Sequence, residues 1–171
     1  MSIALELRGV TRDVVAGVGT CVAHAHVLRD VDLTISTGEV VAVVGNSAAV
    51  STLVLCAAGL LRPDAGSIRW FGDSSREIAC QRVLYHRPAV DLVHGDRDGG
   101  RLHVLDASSI ADQPRIARWA SERAGEGDAI LVATIDEPCV HRFASRVLRL
   151  SAGRLVAASS THARVAEAVP V

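Results

Sequence analysis

The sequence predicts a layered α/β domain built around a mainly parallel central sheet. Three short runs, VAVV, HVL and AILVA, are apolar without alternation, as is typical of strands that are covered on both faces. Along the chain such runs alternate with segments of helical periodicity, which is the pattern of a parallel sheet with helices on its faces. The 171 residues, 49% of them hydrophobic, suffice for one full core, and we predict a single domain over residues 1–158 followed by a C-terminal tail over residues 159–171.

The order of elements within this domain follows from periodicity and turn residues. Pro114 lies near the start of a helix, where proline is tolerated, and the SAGR turn between RVLRL and RLVAA predicts a closing antiparallel hairpin. Helices are expected at Val50–Leu60, Gln113–Ala124 and Glu137–Ser145. Strands are expected at Ile3–Arg8, Val27–Ile35, Glu39–Val44, Ser67–Phe71, Arg82–His86, Leu102–Leu105, Ala129–Ala133, Val147–Leu150 and Arg154–Ala157.

Charge and hydropathy argue against two classes of target. The net charge is −1 and no run of like charges is long enough for a binding tail, so nucleic acid is not an expected partner. No apolar run approaches the roughly 18 residues of a membrane span, and MSIALELRGV has the pattern of a strand rather than that of a cleavable signal. We expect a cytoplasmic protein that reaches the membrane only through a partner.

Cysteine and histidine give little support for a metal centre. Cys21, Cys56, Cys80 and Cys139 form no CxxC pair, so we expect them to be buried, reduced thiols. The HAH segment, His24–His26, would place two imidazoles on one face of a strand, an arrangement that metals can use. No third ligand is evident nearby, so an ordinary polar strand face is the competing interpretation.

The stretch from Val43 to Ile68 has the outline of a phosphate-binding loop and its following helix. Such a loop needs glycines, so that successive backbone N–H groups can surround the phosphates, and a lysine that reaches the terminal ones. Here Ala48, Ala49 and Val50 stand where glycine and lysine belong, and the chain contains no lysine at all. The residues that keep the pattern of a vestigial phosphate loop are Gly45, Asn46, Ser47, Ser51 and Thr52.

Two interpretations of Ser51 and Thr52 compete. A helix N-terminus at these residues would offer N–H groups and the positive end of the helix dipole to an anion. Alternatively, the two hydroxyls cap the helix and bind nothing else. We favour capping, because the glycines that would let the loop amides converge are missing.

The order of these segments resembles the ATP-binding domains of ABC transporters. VLRDVDLTISTGEVVAVVGN resembles the strand pair that enters the P-loop of that family, CAAGLLRPDAGSIRWFGD the following helix and strand, and ASRVLRLSAGRLV the C-terminal hairpin. The resemblance covers Ile3–Asp73 and Leu102–Ala157, and it implies a P-loop NTPase-like core in which antiparallel strands accompany the parallel sheet. The segment 74–101 is too short for the family's helical subdomain, so we expect only a short connection there, with DGGR, Asp98–Arg101, as a loop.

The family's functional residues carry over only in part. RLHVLD resembles the Walker B strand, which implies that Asp106 is the Mg²⁺-associated carboxylate, whereas the family's catalytic glutamate falls on Ala107. Val14 stands at the position of the adenine-stacking aromatic residue and Ile135 at that of the switch histidine. We expect Asp106, and not Asp136, at the end of the strand beside the P-loop strand.

Three functions remain after these comparisons of motifs. We favour a pseudo-ATPase without catalytic residues or cofactor, which serves as a structural or regulatory subunit and binds another protein or a second copy of itself. The alternative is a divergent ATP-binding subunit of an ABC transporter, with weak ATP and Mg²⁺ binding, that pairs with an intact ATPase and a membrane permease. A third hypothesis is an enzyme that uses Asp136, Glu137 and His141, although a carboxylate pair at a helix start explains the same residues.

Overall fold

The computed structural model describes residues 2–18, 21–87, 100–107, 113–135 and 137–157. None of the helices among these residues is long and apolar enough to cross a membrane. In chain order the elements are β1 (Ile3–Val18), β2 (Cys21–Ser36), β3 (Val40–Gly45), α1 (Ser47–Ala57), β4 (Ala65–Trp70), α2 (Arg76–Arg82), β5 (Val83–His86), β6 (Leu102–Asp106), α3 (Gln113–Gly125), β7 (Ala129–Thr134), α4 (Glu137–Val140), β8 (Arg146–Ser151) and β9 (Arg154–Ala157).

The central sheet has six strands in the order β5-β6-β7-β3-β8-β9. Its neighbours pair in parallel from β5 to β8, and only β8 and β9 pair antiparallel. Parallel neighbours require crossover connections, and α1 and α3 belong to such connections. The predicted mainly parallel sheet and the closing hairpin are therefore confirmed.

The three central strands are buried along almost their whole length because helices cover both faces. Alternate residues of β3, β6 and β7 enter apolar clusters on opposite faces of the sheet, as the period of two in a strand requires. The cluster on one face includes Val50 and Leu53 of α1. The other face has two clusters, one with Trp119 of α3 and a smaller one with Val140 of α4. The continuous apolar runs in the sequence reflect this double coverage, as predicted.

A second, antiparallel sheet has the order β2-β1-β4. Its strands β1 and β2 each run for 16 residues, well beyond the predicted ends at Arg8 and Val27. The pairing shifts register between Leu7 and Val10, where Gly9 has a φ of 58°. A bulge of this kind interrupts the alternation of apolar and polar residues by which a strand is recognised in a sequence. The sequence pattern therefore predicts that β1 ends near Gly9.

The helices differ from the predicted ones at their ends. α1 begins at Ser47 instead of Val50, because Asn46 is its N-cap and accepts a hydrogen bond from the Ala49 amide at 2.9 Å. α4 ends at Val140 instead of Ser145. α2, which the sequence analysis did not predict, begins after Ser75, whose hydroxyl caps it. With β5 it occupies the described part of segment 74–101, and the loss of a helical subdomain stays a prediction.

Candidate functional site

The predicted loop residues and Asp106 lie at the carboxyl edge of the parallel sheet. Gly45 ends β3 and Asp106 ends β6. Because β3 and β6 run in the same direction, their carboxyl ends meet at one edge, which is where open α/β sheets bind ligands. The structure thus assembles the candidate site from two segments that are far apart in the sequence.

Asn46 alone separates β3 from α1. A phosphate-cradling loop needs several consecutive residues whose amides point inward, and here the helix starts before such a loop can form. The Ala49 amide is bonded to the Asn46 side chain, and the Val50 amide bonds to the Asn46 carbonyl at 3.1 Å. The amides of Ser47 and Ala48 have no carbonyl to reach inside the helix, so an anion at this end would meet those two groups.

The predicted capping role of Ser51 and Thr52 is wrong, since both residues lie in the second turn of α1. Their amides therefore cannot form the helix N-terminus that the anion-binding interpretation assumed. Thr52 is buried and its hydroxyl donates to the Ala48 carbonyl at 2.7 Å, a bond within its own helix. The Thr52 hydroxyl is thus satisfied within α1, through a bond to the carbonyl four residues earlier.

Ser51 instead joins α1 to β6. Its Oγ donates a hydrogen bond of 2.9 Å to Oδ2 of Asp106. Asp106 is 7% exposed, and Ser51 is half-buried. A hydroxyl next to a carboxylate is a pair of hard oxygen donors of the type that Mg²⁺ prefers. This pair is the part of the candidate site whose chemistry fits a metal-bound nucleotide.

The strand on which Asp106 lies is not the neighbour of β3. We predicted that Asp106 would end the strand beside the P-loop strand, but β7 pairs with β3 on one side and with β6 on the other. The connection that contains α3 places β7 between them, and the order of segments in a sequence does not reveal such an insertion. Asp106 still reaches Ser51. Asp136 lies outside the described residues, so the part of the prediction that concerns Asp136 stays a prediction.

Gly45 is required by packing at this edge. A Cβ at Gly45 would lie 2.7 Å from the Leu150 carbonyl oxygen and 3.2 Å from Cγ1 of Val50. Real Cβ atoms essentially never show a contact as short as 2.7 Å, so β8 approaches β3 this closely only because residue 45 is glycine. The presence of this glycine has a structural cause as well as the phosphate-binding one suggested by the motif.

The positions of the family's other functional residues carry apolar side chains. Ala107 is 2% exposed and packs in the cluster beneath α3. Ile135 follows β7 and is 57% exposed, while Val14 on β1 is 39% exposed. None of these three side chains can donate or accept a proton, so this arrangement provides no general base at the positions that the resemblance assigned.

The third hypothesis receives little support from the described part of its residues. Glu137 is ion-paired with Arg149, and its Oε1 lies 3.8 Å from Nε2 of His141. The Glu137 carboxylate is thus engaged in a surface ion pair at the start of α4, which is the ordinary explanation of these residues. Asp136 lies outside the described residues.

The predicted thiols and histidines have mixed outcomes. Cys56 is buried, and burial raises its pKa to about 11, so it is an inert thiol. Cys80, predicted to be buried, is exposed because it lies on the outer side of the short α2.

Of the two histidines in the HAH segment, His26 contacts Asp13 through Nδ1 and Oδ1 at 2.5 Å. The side chain of His24 is outside the described part. Where side chains are described, no three His, Cys, Asp or Glu residues are grouped to hold a metal ion.

The sequence analysis missed a buried polar group on the other face of the sheet, which we call the histidine cluster: His86, His103 and Asp128. His103 Nε2 lies 3.1 Å from Asp128 Oδ2, and His86 Nε2 lies 3.0 Å from His103 Nδ1. The three residues come from β5, β6 and the residue before β7. The single signal in the sequence is a histidine inside the otherwise apolar run of β6.

Comparisons with known proteins agree with this architecture. A family model described as "ABC transporter" matches residues 28–155. The lipoprotein-releasing system ATP-binding protein LolD of Roseobacter denitrificans is 38% identical over 125 residues, which cover 70% of this chain and 52% of that protein. The molybdenum import ATP-binding protein ModC of Mycobacterium tuberculosis is 36% identical over 151 residues, covering 81% of this chain and 38% of the relative. The chain thus spans about half or less of the length of these relatives.

A solved structure shares the fold. The dimeric structure of a bacterial ABC transporter cassette aligns with a TM-score of 0.66 and 15% identity, and the alignment covers 88% of this chain and 96% of that one. Identity this low shows the fold alone. The family model, however, matches most of the chain, and it includes β3, α1 and β6, which form the candidate site. The chain therefore belongs to the ABC transporter family, as an ATP-binding domain that is shortened in this chain.

Proposed function

We propose that this protein is a divergent ATP-binding subunit of an ABC transporter that works beside a second, intact ATP-binding subunit and a membrane permease. The observation that carries the proposal is the hydrogen bond between Ser51 and Asp106 at the carboxyl edge of the sheet. Relatives such as LolD and ModC are named as ATP-binding proteins of transport systems. This function was the alternative in the sequence analysis, and the family membership now favours it.

Ser51 and Asp106 are the residues that would hold Mg²⁺ of a bound nucleotide, through Oγ and a carboxylate oxygen. When bound, Mg²⁺ neutralises charge on the phosphates. The amides of Ser47 and Ala48, at the positive end of the α1 dipole, would contact a phosphate oxygen. Because only Asn46 lies between β3 and α1, few amides can converge on the phosphates, and we expect weak binding.

Hydrolysis by this subunit alone is not expected. Loss of one electrostatic donor in a reaction of this kind costs about 2.7–4 kcal/mol of barrier, and here the lysine and the base are both replaced. Ala107 packs in the core and Ile135 is an exposed apolar side chain, so neither can transfer a proton. The second ATP-binding subunit would consequently supply the turnover, while this subunit contributes its fold and a nucleotide contact.

One observation favours a second candidate function, a subunit that is structural or regulatory and binds no nucleotide. Val50, near the position where the family's lysine is expected, is fully buried and packs in the core between α1 and the sheet. The start of α1 is thus integrated into the hydrophobic core, as expected of a helix that no longer serves a ligand.

The two candidates differ in the assembly they predict. We would tag the protein in its native host, purify it in mild detergent and identify the subunits of the complex. The transporter proposal predicts a permease, a second ATP-binding subunit and ATPase activity of the complex that falls when Asp106 is replaced by Asn. The variant Ser121→Ala, on the exposed face of α3, is the matched control and should leave the activity unchanged.

A complex that contains soluble proteins and no permease would support the structural candidate instead. The same conclusion would follow if a permease copurified but Asp106→Asn left the ATPase activity of the complex at the level of Ser121→Ala. In that case the subunit would belong to a transporter without contacting nucleotide.

A further inference from the structure

The histidine cluster links three neighbouring strands on the α3 face of the sheet. His103 is 3% exposed and Asp128 is 2% exposed, whereas His86 is half-buried at the end of β5. The two imidazole rings stack with their centroids 5.3 Å apart. The ring of Trp119 from α3 meets both edge-on, at 5.4 Å from His86 and 5.1 Å from His103. No step of the proposed nucleotide contact uses these residues.

The contacts of Asp128 determine where the protons of the cluster lie. Its Oδ1 accepts hydrogen bonds from the amides of Gly100 and Arg101 at 3.0 and 2.9 Å. Its Oδ2 then accepts from Nε2–H of His103, since a carboxylate has no proton to donate. Nδ1 of His103 consequently carries a lone pair and accepts from Nε2–H of His86. Both histidines are neutral in this arrangement, and each facing pair consists of one donor and one acceptor.

Additional protons are unfavourable in this environment. Charged neighbours of the cluster are Arg123 from α3 and Arg101 before β6, whose positive charges oppose a cation on His103, and Asp128, whose charge favours it. Burial lowers the pKa of His86 to about 4, and the nearby His103 adds to the effect. Burial also lowers the pKa of His103, more than Asp128 raises it. A proton added to Nδ1 of His103 would leave two N–H groups facing each other between the rings.

We propose that the histidine cluster is an acid-sensitive clamp that holds β5 on the sheet at neutral pH and releases it in mildly acidic solution. β5 is four residues long and is the terminal strand of the described sheet, where it pairs with β6 alone. Its side chains are only half-buried. On one face Val83 and Tyr85 of β5 pack against the core. On the other face the link from His86 through His103 to Asp128 ties the end of this short strand to the sheet.

The sign of the pH effect follows from the direction of the shifts. His86 leaves the cluster when β5 is released and then has the ordinary pKa of 6.5, whereas burial lowers its pKa to about 4 when β5 is clamped. Release therefore takes up protons below pH 6.5, and the stabilisation from the clamp is present above pH 6.5 and is lost as the pH falls toward 4. The exposed carboxyls Asp64 and Asp73, whose pKa values backbone hydrogen bonds lower, titrate below this window.

The test compares the variant His86→Gln with His141→Gln. Glutamine keeps an N–H near the position of Nε2 but cannot titrate. His141 is exposed and lies outside the histidine cluster. Between pH 7.5 and pH 5.0, protonation of His86 should lower the melting temperature of the wild type and of His141→Gln by about 4–8 °C. The melting temperature of His86→Gln should fall by roughly half as much or less, because this variant lacks the titrating group. Hydrogen exchange should show, after correction for intrinsic rates, that β5 amides lose protection at pH 5.0 before β7 amides do.

A second measurement keeps the proposal testable if His86→Gln does not fold. In ¹H–¹⁵N spectra of the wild-type imidazoles, His86 and His103 should both be neutral at pH 6, with the proton on Nε2. The proposal is overturned if His86 or His103 titrates at pH 6.5 or above, or if a folded His86→Gln variant loses stability with pH as steeply as His141→Gln.

Discussion

The central sheet and the connection between β3 and α1 are adjacent regions of one domain, and they differ in how closely they resemble the ABC family. The sheet retains parallel strands buried on both faces and a fold similar to that of solved cassettes. The connection consists of Asn46 alone, which is too short for a loop whose amides surround a phosphate. The difference shows that the fold is stabilised by apolar burial that does not depend on the nucleotide-binding residues.

The largest effect in this comparison is expected from a core substitution. Leu131→Ala on β7 removes a side chain that is 0% exposed, and the lost burial and the cavity should lower the free energy of unfolding by about 2–5 kcal/mol. Denaturant titration measures this change. Leu60→Ala is the control, because Leu60 is 58% exposed and its truncation should cost roughly 0.5 kcal/mol or less. Equal losses for the two variants would contradict a sheet stabilised mainly by its core.

A smaller effect is expected at the boundary between the two regions. Gly45→Ala places a methyl group 2.7 Å from the Leu150 carbonyl, so β8 must shift, at a cost of about 1–3 kcal/mol. Gly125→Ala is the matched control, since nothing lies within 4 Å of a Cβ there. If both variants unfold at the same denaturant concentration, packing does not require glycine at position 45. The close approach of a ligand to the backbone would then be the better explanation of this glycine.

The smallest of these stability effects is expected within the connection itself. Asn46→Ala removes the cap of α1 and should destabilise the protein by about 1 kcal/mol. Asn46→Asp keeps an acceptor for the Ala49 amide and should be close to the wild type. Thermal unfolding of the three proteins in parallel checks this order, and an unchanged Asn46→Ala would mean that the cap contributes nothing.

The same contrast explains which features were predictable from the sequence. Continuous apolar runs such as AILVA report burial on both faces, so β3, β6 and β7 were found. Register shifts at Gly9 hide the continuation of β1, and the position of β7 between β3 and β6 depends on a crossover that no local pattern encodes. The resemblance to the family indicated Asp106, whereas the cap at Asn46 was overlooked because the motif directed attention to Ser51 and Thr52.

The histidine cluster lay beyond sequence reasoning for a different physical reason. Asp128 is the residue before β7 and His86 ends β5, so their contact through His103 exists only after three strands have aligned. The apolar neighbours of His103 in β6 indicate a buried histidine, but they do not identify its partners. Strand order and register, and not residue type, bring the cluster together.

The most direct test of the proposed nucleotide contact is the melting temperature of the purified protein in the presence of Mg-ATP, measured for the wild type, Asp106→Asn and Ser121→Ala. At a tenfold excess of Mg-ATP over its Kd, the wild type and Ser121→Ala should melt about 3–6 °C higher than without ligand. The rise should disappear in Asp106→Asn and when Mg²⁺ is chelated. No rise in the wild type at the highest soluble Mg-ATP concentration, or an equal rise in Asp106→Asn, would contradict binding through Ser51 and Asp106.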